Sequence, residues 1–335
     1  MNIKISQISY HLPEKIVTNI DLQKENPEWD MEKLSEKSGV YSRHIAAVNE
    51  TAFDLACIAC DKLFLNDEDL KGAIDGVIFC TQSPDYIMPS NAFLIHRYLN
   101  LRQSAFAFDF NLACSGFIYG LSIARGFVAT SLATNILLIT ADTYSKYIHP
   151  GDRSARILFG DGAAASLITK TETEGIIDVM LASSGKDFDF FYIPSGGCRI
   201  PKSQKTSVAE VDASGNIHSP ENIHMNGFGV WKFIASTVPK QINEILSRNG
   251  FSANDIDLFI FHQASKMTIE SLINAVKIDI EKVFINLGNK GNLVSASIPV
   301  ALKDAENEGK LKNGDLILLS GFGVGLSWGT IIMRY

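Results

Sequence analysis

The chain has 335 residues, 46% of them hydrophobic and 20% charged, with a net charge of −7. That length holds one large core or two ordinary domains, and the acid excess argues against nucleic acid as a partner. No apolar run is long enough to cross a bilayer, and Met1-Asn2-Ile3-Lys4-Ile5 lacks the apolar core of a secretory signal. Five scattered cysteines, Cys57, Cys60, Cys80, Cys114 and Cys198, therefore read as reduced thiols of a cytoplasmic protein.

In chain order, the charged stretch 24–37 reads as a solvated face. Residues 51–65 have a helical pattern that contains the C-x-x-C pair Cys57 and Cys60. No second cysteine pair exists, so a zinc site is not expected. Short apolar, β-prone runs follow at 76–80, 105–108, 135–140 and 164–168, then at 256–261, 316–319 and 330–333. Near-continuous apolar strands predict sheets covered on both faces, and helical stretches between them predict an α/β fold. The run 75–79 echoes 256–260, and 135–138 echoes 315–318, a weak internal repeat. Residues 183–222, rich in Gly, Ser, Pro and Lys, read as a long loop excursion.

Cys114 is the most informative residue. It sits in Phe108-Asp109-Phe110-Asn111-Leu112-Ala113-Cys114-Ser115-Gly116-Phe117, where a strand pattern gives way to a helix pattern. A helix N-terminus favours thiolate, so this position predicts an activated nucleophile. Residues 115–129 are small or apolar on nearly every face, with Arg125 their only charge, which predicts a helix buried all round.

Three later segments supply partners. They are Phe261-His262-Gln263-Ala264-Ser265 at a strand end, Gly291-Asn292-Leu293-Val294-Ser295 leading into a small-residue helix, and the glycine-rich turn Gly321-Phe322-Gly323-Val324-Gly325. Together with Cys114 they resemble the β-ketoacyl-acyl carrier protein synthase III family of the thiolase superfamily. Flanking segments extend the resemblance over nearly the whole chain: Arg43-His44-Ile45-Ala46, Met88-Pro89-Ser90, Asp152-Arg153, Phe159-Gly160-Asp161-Gly162 and Trp328-Gly329-Thr330.

The resemblance implies a five-layer αβαβα thiolase-like fold of two similar halves, 1–172 carrying the cysteine and 173–335 carrying the histidine and asparagine. It implies a homodimer and a decarboxylating Claisen condensation. Cys114, His262 and Asn292 are then catalytic, and the backbone N–H groups of Cys114 and Val324 form an oxyanion hole. Val324 stands where the family has a glycine, which keeps the N–H and narrows the pocket. Lys37, Met88, Arg153, Phe159, Gly227 and Gly323 are implied to contact substrate, with Met88 crossing the dimer interface. Lys232 and Lys266 are implied to meet an acyl carrier protein. No permanently bound cofactor or metal is implied; the substrates are CoA or phosphopantetheine thioesters, namely an acyl-CoA or acyl-acyl carrier protein primer and malonyl-acyl carrier protein.

Departures from the family point to a specialised paralogue. Lys33 stands where CoA-using members place a tryptophan, with Trp29 four residues upstream, and Met267 replaces an arginine used for carrier docking. Two neighbouring readings share parts of the pattern: a type III polyketide synthase, and an acyltransferase that forms an ester or amide without decarboxylation. The first needs a longer chain. The second would turn over without malonate. A non-catalytic partner subunit has no need of all three of Cys114, His262 and Asn292.

Overall fold

The computed structural model describes residues 2–335. Its first half runs through β1 (Asn2–His11), α1 (Ala52–Phe64), β2 (Gly76–Cys80), α2 (Asn91–Tyr98), β3 (Phe106–Phe110), α3 (Gly116–Ala129), β4 (Asn135–Asp142) and β5 (Gly162–Thr171). The second runs through β6 (Ile176–Ser183), α4 (Gly227–Arg248), β7 (Leu258–Phe261), α5 (Lys266–Val276), α6 (Ser297–Asn307), β8 (Leu316–Gly323) and β9 (Ser327–Arg334). Shorter helices and strands join these elements.

The first sheet has the order β1-β5-β4-β2-β3, and the second β6-β9-β8-β7. In each, the first three strands are antiparallel neighbours and the next pairing, β4 with β2 or β8 with β7, is parallel. The first sheet adds β3, parallel to β2. Where a fifth strand would lie in the second sheet there is a single parallel bridge, Phe259 to Val283. The weak echo in the sequence thus corresponds to a repeated strand order.

Alternation within strands builds the layers. In β4, Ile136 and Leu138 point inward with Phe117 and Leu121 of α3, Ile298 and Leu302 of α6, and Ile317 and Leu319 of β8. Leu137 and Ile139 point outward, onto Leu55 and Phe64 of α1 and Ile95 of α2. The second sheet does the same, with Phe259, Phe261 and Leu318 packed under Ile242 of α4 and Leu272 of α5. Side chains alternate across a strand, so two covered faces require apolar residues at nearly every position. The result is five layers, αβαβα.

Helix α1 begins with a capping box. Thr51 Oγ1 accepts from the Asp54 N–H, and Asp54 Oδ2 accepts from the Thr51 N–H. Such a cap contributes about 1 kcal/mol. Cys57 and Cys60 are free and buried in the outer core, which explains the cysteine pair without a metal. Among the described residues, no cluster of three or more His, Cys, Asp or Glu could hold a metal ion.

Helix α3 lies close against the first sheet. A Cβ at Gly116 would sit 2.3 Å from Cys80 Sγ, so glycine is required at the head of this helix. The excursion between β6 and α4 is folded rather than loose. Phe191–Tyr192 pairs with His224–Met225, and Glu210–Val211 pairs with Ile217–His218. The Ile217 N–H donates to the Gly151 carbonyl and the Ile223 N–H to the Tyr147 carbonyl, tying it to the first half.

Candidate active site

The two central helices bring two halves of one site together. Cys114 precedes α3 and Asn292 precedes α6, while His262 follows β7 directly. All three line one cavity of about 290 Å³. Its walls include Ile157, Phe191, Met225, Trp231 and Phe322.

Cys114 is buried. A Cβ at Gly323 would lie 2.9 Å from Cys114 Cβ and 3.0 Å from its Sγ, so the end of β8 passes directly against the nucleophile. The Ser115 and Ser327 hydroxyls, 2.7 Å apart, tie the head of α3 to β9. Among the described residues, neither the Cys114 nor the Val324 amide N–H is taken up by another protein acceptor. Gly323→Ala is expected to push the cysteine out of place. Overpacking of this kind costs about 1–3 kcal/mol. Thermal unfolding and thiol acylation would register it as a lower Tm and an acylation rate reduced about tenfold or more.

The expectation of an acidified thiol is corrected by the structure. Burial pushes the Cys114 thiol well above its ordinary value, and the nearby Asp142 carboxyl pushes it further. A helix N-terminus offers an anion at most about 2 kcal/mol, whereas complete burial shifts a group by up to ~5 pKa units. Burial and Asp142 thus oppose the thiolate that the helix N-terminus favours.

His262 is held through its backbone. Its N–H donates to the Ser320 carbonyl and its own carbonyl accepts from the Ala264 N–H, each at 2.8 Å. The ring packs edge-on to Phe322, with centroids 5.7 Å apart. Nδ1 is buried and has no hydrogen-bond partner among the described residues. A buried lone pair without a partner is better tolerated than a buried N–H, which assigns the proton to Nε2. Burial lowers the ring's pKa to about 3, so the imidazole is neutral at physiological pH.

This depression has a consequence for stability. Between the ordinary 6.5 and about 3, the unfolded histidine binds a proton that the folded one refuses. The contribution is full above 6.5 and is lost as pH falls towards 3. Asp142, raised by burial to about 7, acts in the opposite sense, losing stability as pH rises from 3.8. Comparing the parent with His262→Gln cancels the Asp142 contribution. The drop in urea midpoint between about pH 7 and pH 5 is expected to be smaller in the variant.

Asn292 is fixed by a parallel bridge to Phe159, its N–H donating to the Leu158 carbonyl at 2.8 Å and its carbonyl accepting from the Gly160 N–H at 3.0 Å. Its side-chain Oδ1 accepts from the Val294 N–H at 2.9 Å. That bond sets the amide orientation and leaves Nδ2 as the free donor. Behind the site, buried Asp142 accepts from the Gln82 N–H at 2.8 Å and the Ser295 hydroxyl at 2.5 Å, linking β2, β4 and the turn into α6.

Other residues singled out from the sequence separate into groups. Lys37, Phe159, Gly227 and Gly323 line the same cavity as the three central side chains. Arg153 does not; its guanidinium donates to the Ser214 carbonyl of the folded excursion. The excursion thus takes up one of the five N–H donors of Arg153. Lys232 faces a separate cleft with Phe228 and Trp328, and Lys266 is half-exposed beside Glu270. Met88 is 79% exposed. Val324 lines a second cavity. Trp29 is buried among Leu22, Met31 and Ile157, so it is a core residue rather than a stacking platform. Arg43 is likewise structural, donating to the Val17 and Ile157 carbonyls and to Asn19 Oδ1. In the stretch read as solvated, Leu34 and Lys37 reach the cavity, as does Ser38 just beyond it. The aromatic walls were missed from the sequence; the run Phe188-Asp189-Phe190-Phe191-Tyr192 was the available signal.

Two sheets of one repeated strand order, with helices between them and a cysteine at the head of a central helix, are the architecture of the thiolase-like condensing enzymes. The family model for 3-oxoacyl-[acyl-carrier-protein (ACP)] synthase III matches residues 108–185, and that for its C-terminal part matches residues 246–335. A β-ketoacyl-[acyl-carrier-protein] synthase III of Caldanaerobacter subterraneus subsp. tengcongensis is 38% identical over 97% of this chain and 95% of its own. A solved 3-oxoacyl-(acyl-carrier-protein) synthase III superposes with a TM-score of 0.97 at 39% identity, covering both chains completely. The corresponding protein of Aquifex aeolicus VF5 gives 0.86 at 32% identity, again over all of both chains. The chain belongs to the β-ketoacyl-acyl carrier protein synthase III family.

Proposed function

We propose that this protein is an acyltransferase that joins an acyl primer to malonyl-acyl carrier protein by decarboxylating Claisen condensation, with residues 1–172 and 173–335 as its two halves. The shared cavity carries this reading, because it presents a thiol, a neutral imidazole N–H and an amide N–H to one volume.

In the first step, Cys114 Sγ attacks the carbonyl carbon of the primer thioester. The oxyanion is received by the N–H groups of Cys114 and Val324. Collapse expels the CoA or phosphopantetheine thiol, which leaves with the proton of Cys114. In the second step, the malonyl thioester loses CO2. The enolate oxygen accepts hydrogen bonds from His262 Nε2 and Asn292 Nδ2. The carbanion attacks the acyl-cysteine carbonyl, breakage of the C–S bond releases the β-ketoacyl thioester and Cys114 thiolate, and the thiolate takes a proton from solvent to restore the starting thiol. Lys37 at the cavity and Lys232 and Lys266 outside it are positive charges suited to an acidic carrier protein or its phosphate. This chemistry belongs to fatty acid initiation or a related specialised pathway in the cytoplasm.

Self-association through β3 fits the structure. This strand ends the first sheet with a free edge, its side chains are all partly exposed, and Ile87 is 98% exposed. An open, aromatic edge strand is a template for pairing with a second copy. In such a dimer Met88 would reach the partner's site, and Met88→Trp is expected to shorten the preferred primer. A chain-length preference unchanged by this variant would refute that role.

The deciding experiment is intact-protein mass spectrometry with a panel of acyl-CoAs and acyl carrier proteins, followed by malonyl-acyl carrier protein. An acyl adduct that disappears on malonyl addition, with a β-ketoacyl product, is the expected result. An adduct discharged to an alcohol or amine without malonate would favour the non-decarboxylating acyltransferase instead.

A further inference from the structure

A second cavity of about 320 Å³ is lined by Val324 and Gly325, which follow the Gly323 that passes against Cys114. Tyr144, Phe191 and Ile223 of its wall pack in one cluster with Ala113 and Cys114, and Phe191 lines both cavities. An acyl group on Cys114 would reach this volume past Phe191, the wall that the two cavities share.

The lining is aromatic but not dry. The Tyr144 hydroxyl donates to Gln82 Oε1, and Gln82 Nε2 donates to Asn111 Oδ1 at 2.7 Å. Both carboxamide oxygens are thus occupied, and the chain of bonds ends on donors: the Asn111 NH2 group and the second Gln82 N–H. The Tyr147 and Tyr192 hydroxyls, also at this cavity, have no protein partner among the described residues. A purely alkyl chain would strip water from these groups and return no hydrogen bond.

Building on the acyl-Cys114 mechanism, we propose that the natural primer carries a hydrogen-bonding oxygen, a hydroxyl or keto group, which the Gln82 and Asn111 donors receive in the second cavity. Such partly solvated donors favour a primer that carries the oxygen by about one net hydrogen bond. Tyr144 holds Gln82 in place and acts as a positioning residue.

The test compares four-carbon CoA thioesters of equal length: butyryl, 3-hydroxybutyryl, 4-hydroxybutyryl and acetoacetyl. The rate of Cys114 acylation is followed by intact mass, with Cys114→Ala as the control for the modified site. At least one oxygenated primer is expected to react about tenfold or more faster than butyryl-CoA, the worth of one net hydrogen bond. Gln82→Met and Asn111→Leu should each reduce that ratio towards one. Asn111 is exposed at the rim, so its variant keeps the test valid if Gln82→Met fails to fold. Butyryl-CoA reacting as fast as every oxygenated primer would overturn the inference and leave the condensing function standing. A preference that survives both substitutions would overturn the assignment to this pair. Absence of any adduct, even with acetyl-CoA, would overturn the acyl-enzyme function itself.

Discussion

Cys114→Ala is expected to abolish both the acyl adduct and condensation, with a loss on the order of 10⁶, as when a covalent nucleophile is deleted. The same variant should still decarboxylate malonyl-acyl carrier protein. That step draws on His262 and Asn292, whose positions depend on Ser320, Ala264, Leu158, Gly160 and Val294 rather than on the thiol. Released CO2 without condensed product, measured with labelled malonyl substrate, is the expected signature. Loss of decarboxylation along with acylation would show that the cysteine also shapes the enolate site.

Asn292→Asp is expected to show the converse pattern. The side-chain oxygen that accepts from the Val294 N–H would survive the change. Facing the cavity, however, a second carboxylate oxygen would replace the Nδ2 donor. It would remove one enolate hydrogen bond and set a negative charge against the developing one. Deleting a single oxyanion donor costs roughly 10²–10³ in rate, and the added repulsion increases this. Cys114 acylation should continue near its normal rate, since its oxyanion donors are backbone groups. Rapid-quench measurement of the two half-reactions separates these outcomes. Equal loss of both would remove Asn292 from the enolate role.

These two variants test each half of the repeat separately. The nucleophile lies at the head of α3 and the enolate donor at the head of α6, helices packed side by side in the central layer. Asp142, at the end of β4, joins the first sheet to the head of α6 through its bond to Ser295. The repeat thus gives two helix heads at one place, to which the proposed mechanism assigns the nucleophile and the enolate donor.

Much of this was legible in the chain. Strand positions followed from short apolar runs, because a strand covered on both faces tolerates few polar residues. The strand-to-helix break at Ala113-Cys114-Ser115 marked the nucleophile, and the motifs around His262 and Asn292 carried the family resemblance. The glycine-rich stretch read as a turn is in large part strand: Gly321 and Gly323 lie in β8, and the turn itself is 324–326. The protonation states were different. The cysteine's helix position suggests a thiolate, yet desolvation by residues distant in sequence opposes it. Similarly, nothing next to His262 in sequence shows that its ring is buried enough to stay neutral. Nor does the sequence show that one Arg153 N–H is held by the Ser214 carbonyl of the folded excursion.

The sequence by itself determined the fold class, the repeat and the three chemical groups, since periodicity, motif order and residue type are local properties of a chain. Only the tertiary structure decided the charge states and the shape and polarity of the second cavity. Burial and cavity walls are built from segments far apart in sequence, as when Gln82, Asn111 and Tyr144 form one hydrogen-bonded row.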